Sequence, residues 1–154
     1  MVCNQKTNRA CTIGWRAKKI KRVVNSSLAA EALAMLDTIG EVIYNKAVLE
    51  MIFGARINKV PVVITNDSQN LYKAIYSTSL VEDAWSITDI AAIKEAMEDK
   101  KIDVVKQVPG AEMVANCLTK QGAGAVQLME VLKEGRYELP GGWSCLKETR
   151  TKQE

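Results

Sequence analysis

Two acidic residues stand where a chemical site could form. Asp67 follows a run of β-branched residues, VPVVIT at 60–65, and Glu31 lies in an alanine-rich stretch, LAAEALA. Open α/β sheets bind ligands at the carboxyl ends of their strands, which is where Asp67 falls. Carboxylates from a helix and a strand end are hard oxygen donors suited to Mg²⁺ or Mn²⁺. A pair of such ions can clamp the attacking and leaving oxygens in phosphodiester hydrolysis. Each residue also has an ordinary reading. An Asp after a strand can cap the next helix, and a lone Glu on a helix is usually solvated. Two carboxylates are a thin set for holding two metals.

The 154 residues include no histidine. That excludes a Ser-His-Asp triad, a Cys-His nucleophile pair and any zinc site containing His, while carboxylate-and-magnesium chemistry needs none. The four cysteines, Cys3, Cys11, Cys117 and Cys145, form no CxxC pair, so they read as reduced thiols and not as a zinc knuckle or redox motif. A glycine-rich phosphate loop is also missing: GAGA at 122–125 follows no clear strand.

The charge is uneven. Lys6, Arg9, Arg16, Lys18, Lys19, Lys21 and Arg22 fall within the first 25 residues with no acidic residue among them, and the remainder carries 14 basic against 18 acidic groups. A basic arm on a mildly acidic body suits a polyanionic partner, although a solvated basic loop has the same composition.

These side chains need elements to position them. The polar residues 1–10 read as frayed, and CTIGWR at 11–16 as a short strand. Ser26 and Ser27 offer N-cap oxygens for a helix from about 28 to 53. Leu28, Met35, Ile39, Val42, Leu49 and Ile52 mark its buried face, and Gly40 interrupts it. Residues 60–65 and 102–108 read as buried strands, with Pro61 at the start of the first. Residues 69–76 form a short helix, and Thr88 or Asp89 caps another over 90–99. A bend at 113–118 precedes a last helix over 125–134, with Val126, Met129 and Leu132 inward and Gly135 at its end. Strands alternating with helices predict an α/β fold with a sheet between helices. No apolar run reaches the roughly 18 residues of a membrane span and no signal-peptide core is visible, so the expectation is no membrane and an intracellular chain, cytoplasmic or nuclear.

Three stretches in order carry a resemblance: IGWRAKKIKRVVNSSLAAEALA, VVITNDSQNLYKAI and DIAAIKEAMEDKKIDVVKQVPGAEMVANCLTKQGA. Together they resemble the ribonuclease H module of copia-type retrotransposon (reverse-transcriptase) polyproteins over residues 13–135. That module shows a tryptophan–basic run before an "AE" helix, a strand ending in an aspartate motif, and a late "A-D-x-L-T-K" segment. The resemblance implies a ribonuclease H-like fold, helices around a mixed sheet, and cleavage of the RNA strand of RNA–DNA hybrids by roughly four carboxylates and two Mg²⁺ (or Mn²⁺) ions. Glu31 matches the helix glutamate and Asp67 the strand-end aspartate, which implies that both are catalytic metal ligands. Asn116 stands at the degenerate third position, and Glu112 lies one turn away from it. Arg16, Lys18, Lys19, Lys21 and Arg22 would contact phosphates of the hybrid or of RNA, with Trp15 stacking or packing beside them.

The chain departs from that pattern at its front. No acidic residue precedes Ile13, so the first two strands and the first catalytic aspartate are expected to be absent. Metal would then bind weakly and hydrolysis would be impaired. The strand at 60–65 would keep an open edge, prone to misfolding or to pairing with another chain that completes the sheet. The implied layout is a disordered segment 1–10, a partial ribonuclease H-like domain 11–135 and a loosely ordered tail 136–154. A non-catalytic nucleic-acid-binding fragment and a decayed element product are the alternatives on the same residues.

Overall fold

The computed structural model describes residues 1–54, 60–78, 84–118 and 125–143. The chain is mixed α/β and divides into two compact units, one of residues 20–107 and one of residues 1–19 with 108–154.

In the unit 20–107, helix α1 spans Ser27–Phe53. Ser26 starts it: its Oγ accepts the Ala29 N–H at 3.0 Å, satisfying one of the donors a helix N-terminus leaves over. Gly40 does not interrupt α1. It is exposed, and a Cβ built there would meet nothing within 4 Å, so the cost is its propensity alone. α1 ends where Gly54 takes φ +66° and donates its N–H to the Glu50 carbonyl.

The buried face of α1 is shorter than its hydrophobic periodicity. Ala29, Ala32, Met35 and Ile39 are buried, and Leu28, Leu36 and Val42 pack partly against the core. Ile52, expected inside, is 66% exposed, and its neighbours Met51 and Phe53 are exposed too. The last turns of α1 reach past the core, so periodicity there marks an apolar stripe with no described layer beneath it.

Strands β3, Val63–Asn66, and β4, Val104–Gln107, pair in parallel with Ile64 opposite Val105. Helices α2, Gln69–Tyr76, and α3, Ala84–Glu98, lie between them in sequence. Parallel strands need such a crossover. Pro61 sits before β3, outside the ladder, as its missing N–H requires. Val62 opens the pairing: its N–H donates to the Asp103 carboxylate at 2.7 Å and its carbonyl accepts from Asp103 and Val104. The core joins Met35 and Ile39 of α1 to Val62, Ile64 and Val105 of the strand layer, Leu71 and Ile75 of α2, and Ile90 and Ile93 of α3.

The helix α3 starts at Ala84, upstream of the predicted cap. Thr88 and Asp89 are therefore interior positions, and buried Asp89 binds the Arg22 guanidinium.

The other unit opens with a hairpin where fraying was expected. β1, Val2–Cys3, pairs antiparallel with β2, Ala10–Cys11. The turn is built by Asn4, whose side-chain oxygen accepts the Lys6 and Thr7 N–H groups. The expected strand over 11–16 shrinks to this short β2. Residues 12–26 have no regular structure and Trp15 is 73% exposed.

Two 3₁₀ turns, Gly110–Glu112 and Val114–Leu118, precede helix α4, Val126–Glu134. Gly135 ends α4 at φ +60°, the left-handed geometry that favours glycine. Its carbonyl accepts the Ala10 N–H at 2.8 Å, and the Asn8 carbonyl accepts the Tyr137 N–H at 2.8 Å. These bonds and buried Leu139 fasten residues 135–139, where a loose tail was expected. The inward face of α4 also differs from the prediction: Val131 is buried, whereas Val126, Met129 and Leu132 are exposed.

Candidate functional site

Asp67 is the first residue beyond β3, so the end of the parallel ladder fixes its place. It does not cap α2. Ser68 does, its Oγ accepting the Leu71 N–H at 3.3 Å. The Asn66 side-chain oxygen accepts the Ser68 N–H and so folds the turn that carries Asp67. Asp67 is thus a half-buried carboxylate at a strand's carboxyl end, one residue before the cap. This is the place where parallel sheets collect ligands.

Glu31 lies in the second turn of α1 and is exposed, beside fully buried Ala32. Ala32 packs in the same core as Ile64 of β3. One unit thus contains both carboxylates, on two elements of one hydrophobic core.

Asn116 lies in the other unit, on the Val114–Leu118 turn. Its side-chain nitrogen donates to the Gly110 carbonyl at 2.8 Å and so holds the two 3₁₀ turns together. Glu112, its neighbour on the preceding turn, is exposed.

The five basic residues are all exposed. Arg16, Lys18 and Lys19 belong to one unit, Lys21 and Arg22 to the other. Arg22 is already engaged. Its guanidinium binds Asp89, whose side chain is 10% exposed, while the Arg22 side chain stays 53% exposed. An ionised carboxylate buried to that degree needs a charged or hydrogen-bonding partner.

Three polar residues have roles here that the sequence did not reveal. Asn66 is 6% exposed, and its side-chain nitrogen has no hydrogen-bond partner among the described residues. Asp89 is the buried counter-ion just described. Tyr76, at the end of α2, hydrogen-bonds the β4 backbone through its hydroxyl. An Asn or Asp beside a strand or in a helix carries no sequence signal that it is buried. For Asp89, the seven basic residues upstream were the available hint of a partner.

Titration is perturbed elsewhere. Burial pushes the Cys3 thiol above its ordinary range. Burial also raises the Tyr137 phenol, with the Cys3 and Glu112 charges adding to the effect.

Among the described residues no three His, Cys, Asp or Glu side chains gather as a metal-binding group. A two-metal centre needs several converging carboxylates, so Glu31 and Asp67 alone do not fit one. No family model, curated protein or solved structure matches the chain.

Proposed function

We propose that this chain is a retroelement-derived ribonuclease H-like domain that binds an RNA–DNA hybrid or RNA and hydrolyses it weakly or not at all. The observation that carries the reading is the place of Asp67. It stands directly beyond β3 of a β–α–α–β unit, and that strand shares its core with the helix bearing Glu31. This is the order and placement that the sequence resemblance implies for those two carboxylates.

Binding would come from the exposed cations of the basic run. Arg16, Lys18, Lys19 and Lys21 offer phosphate contacts, and phosphate neutralisation supplies most sequence-independent affinity for nucleic acid. The Arg22 guanidinium also serves Asp89. With Glu31 and Asp67 as the two candidate ligands, Mg²⁺ or Mn²⁺ would be held weakly, and the chain is better equipped to hold a phosphate backbone than to cut it.

The test is competition at low salt among an RNA–DNA hybrid, an RNA duplex and a DNA duplex for the full chain. Recognition through shape and 2′-hydroxyls favours the two RNA-containing helices. Equal competition by all three would reduce the reading to charge alone, and no binding by any would remove it.

A further inference from the structure

The two strands β3 and β4 form a parallel pair whose two outer edges differ. Val104 donates its N–H to the Val62 carbonyl at 3.3 Å, so its backbone groups face β3. Successive residues of a strand alternate, so those of Val105 face away, on the outer edge of β4. There one side chain satisfies both. The Tyr76 hydroxyl donates to the Val105 carbonyl at 2.9 Å and accepts the Val105 N–H at 3.3 Å. Tyr76 thus occupies the position that a neighbouring strand would take.

Among the described residues β3 carries no such guard. Val63 and Thr65 are the residues whose N–H and C=O groups point away from β4, and among the described residues β3 pairs with β4 alone. Both are partly exposed. Residues 60–66 contain no charge, and Pro61 stands only at the strand's entrance. Lysines, bulges and internal prolines are the usual protections of an edge, and β3 has none of them.

We propose that the β3 edge pairs antiparallel with the same edge of a second copy of this chain, giving a four-stranded sheet across a two-fold axis. The edge is complementary to itself. With the axis at Ile64, Val63 of one copy lies opposite Thr65 of the other, and both are residues that expose a donor and an acceptor. Two such pairs exchange four backbone hydrogen bonds. The facing side chains are β-branched, a favourable cross-strand pairing. Asp67 then falls opposite Pro61, so no like charges meet, and the ladder ends at the Val63–Thr65 pairs because proline has no N–H to donate to the Asp67 carbonyl.

The guard on β4 explains why pairing stops at two. One open edge closes on itself by two-fold symmetry, whereas two open edges per chain would propagate. This proposal stands apart from the nucleic-acid reading, since it uses no residue of the basic run.

The experiment is light scattering after size exclusion on the full chain across a dilution series, with hydrogen exchange read at Val63 and Thr65. The expected mass is twice 17.0 kDa, falling to the monomer on dilution, with exchange at both amides slowed only at high concentration. Val63→Lys, which leaves the β3 backbone donors in place but adds a charge opposite Thr65, should give a folded monomer. Tyr76→Phe should give assemblies larger than the dimer. A wild-type monomer with concentration-independent exchange at Val63 and Thr65 overturns the proposal, as does a dimer that Val63→Lys leaves unchanged. A Tyr76→Phe protein that stops at the dimer overturns the role of the guard.

Discussion

Arg22 binds Asp89: a guanidinium from the irregular basic segment closes on a carboxylate buried inside α3. The pair gives one member of the basic run a structural task. Removing Arg22 leaves a buried charged acceptor without its partner, which costs about 1–3 kcal/mol, toward the lower end because Arg22 is half exposed. Arg22→Ala is therefore expected to lower the urea midpoint clearly. Lys21→Ala, one residue away and exposed, should stay within about 0.5 kcal/mol of the parent. Equal effects of the two substitutions would mean that the pair contributes nothing.

Two glycines should respond in opposite directions to alanine. Gly40 lies inside α1, where a Cβ meets open space, so Gly40→Ala is expected to stabilise by roughly 0.5–1 kcal/mol. Gly135 holds φ +60° at the end of α4. An L side chain there is strained whatever the space, and Gly135→Ala is expected to cost about 1–2 kcal/mol. Thermal unfolding of both variants checks the signs.

The fold was legible in sequence where local chemistry and burial agree. The helix over 69–76 begins and ends at the predicted residues because Ser68 caps it and Leu71 and Ile75 sit one turn apart on its buried side. Strand β4 falls inside its β-branched run, and β3 starts inside the other and ends one residue past it, at Asn66. The reading failed where an element's apolar face outruns or evades the core. Ile52 obeys the helical period and is exposed, since α1 extends past the layer that would cover it. Val126, Met129 and Leu132 share a face of α4, yet Val131 is the residue buried. The start of α3 was missed because Asp89, a good cap by type, is instead a buried counter-ion. At the candidate site, the places of Glu31 and Asp67 on a helix and after a strand could be read. The orphaned side-chain nitrogen of Asn66 and the hydroxyl of Tyr76 could not, because both depend on contacts distant in sequence or on burial.

Alkaline pH should weaken the hairpin unit. Burial raises the Tyr137 phenol and the Cys3 thiol, so folding favours their protonated forms. The contribution of each is full below its unfolded pKa and is lost as pH rises through that value toward the raised folded one. The loss should therefore begin near the ordinary thiol range of about 8.5 and continue past the phenol value of about 10. Tyr137→Phe should flatten the upper part of the decline in a pH series of urea midpoints. A decline identical in the variant would remove Tyr137 as its source.

Any hybrid cleavage by this chain should be slow and should depend on both carboxylates. In Mg²⁺ or Mn²⁺, the Glu31→Gln, Asp67→Asn double variant is expected to reduce a residual rate to background while binding the hybrid as the parent does. Cleavage that survives the double variant would place the chemistry elsewhere.

Salt dependence is the sharpest test of hybrid binding through the basic run. Anisotropy of a labelled RNA–DNA hybrid would be followed over a salt series for the full chain and for a variant with Arg16, Lys18, Lys19 and Lys21 changed to Ala, leaving Arg22 in place for Asp89. The parent should lose affinity linearly on a log–log plot, with a slope near −0.9 for each phosphate contacted. The variant should bind more weakly, and its slope should be shallower by up to roughly 3–4 on the same scale. No binding at low salt, or a slope that the four substitutions leave unchanged, would contradict the account.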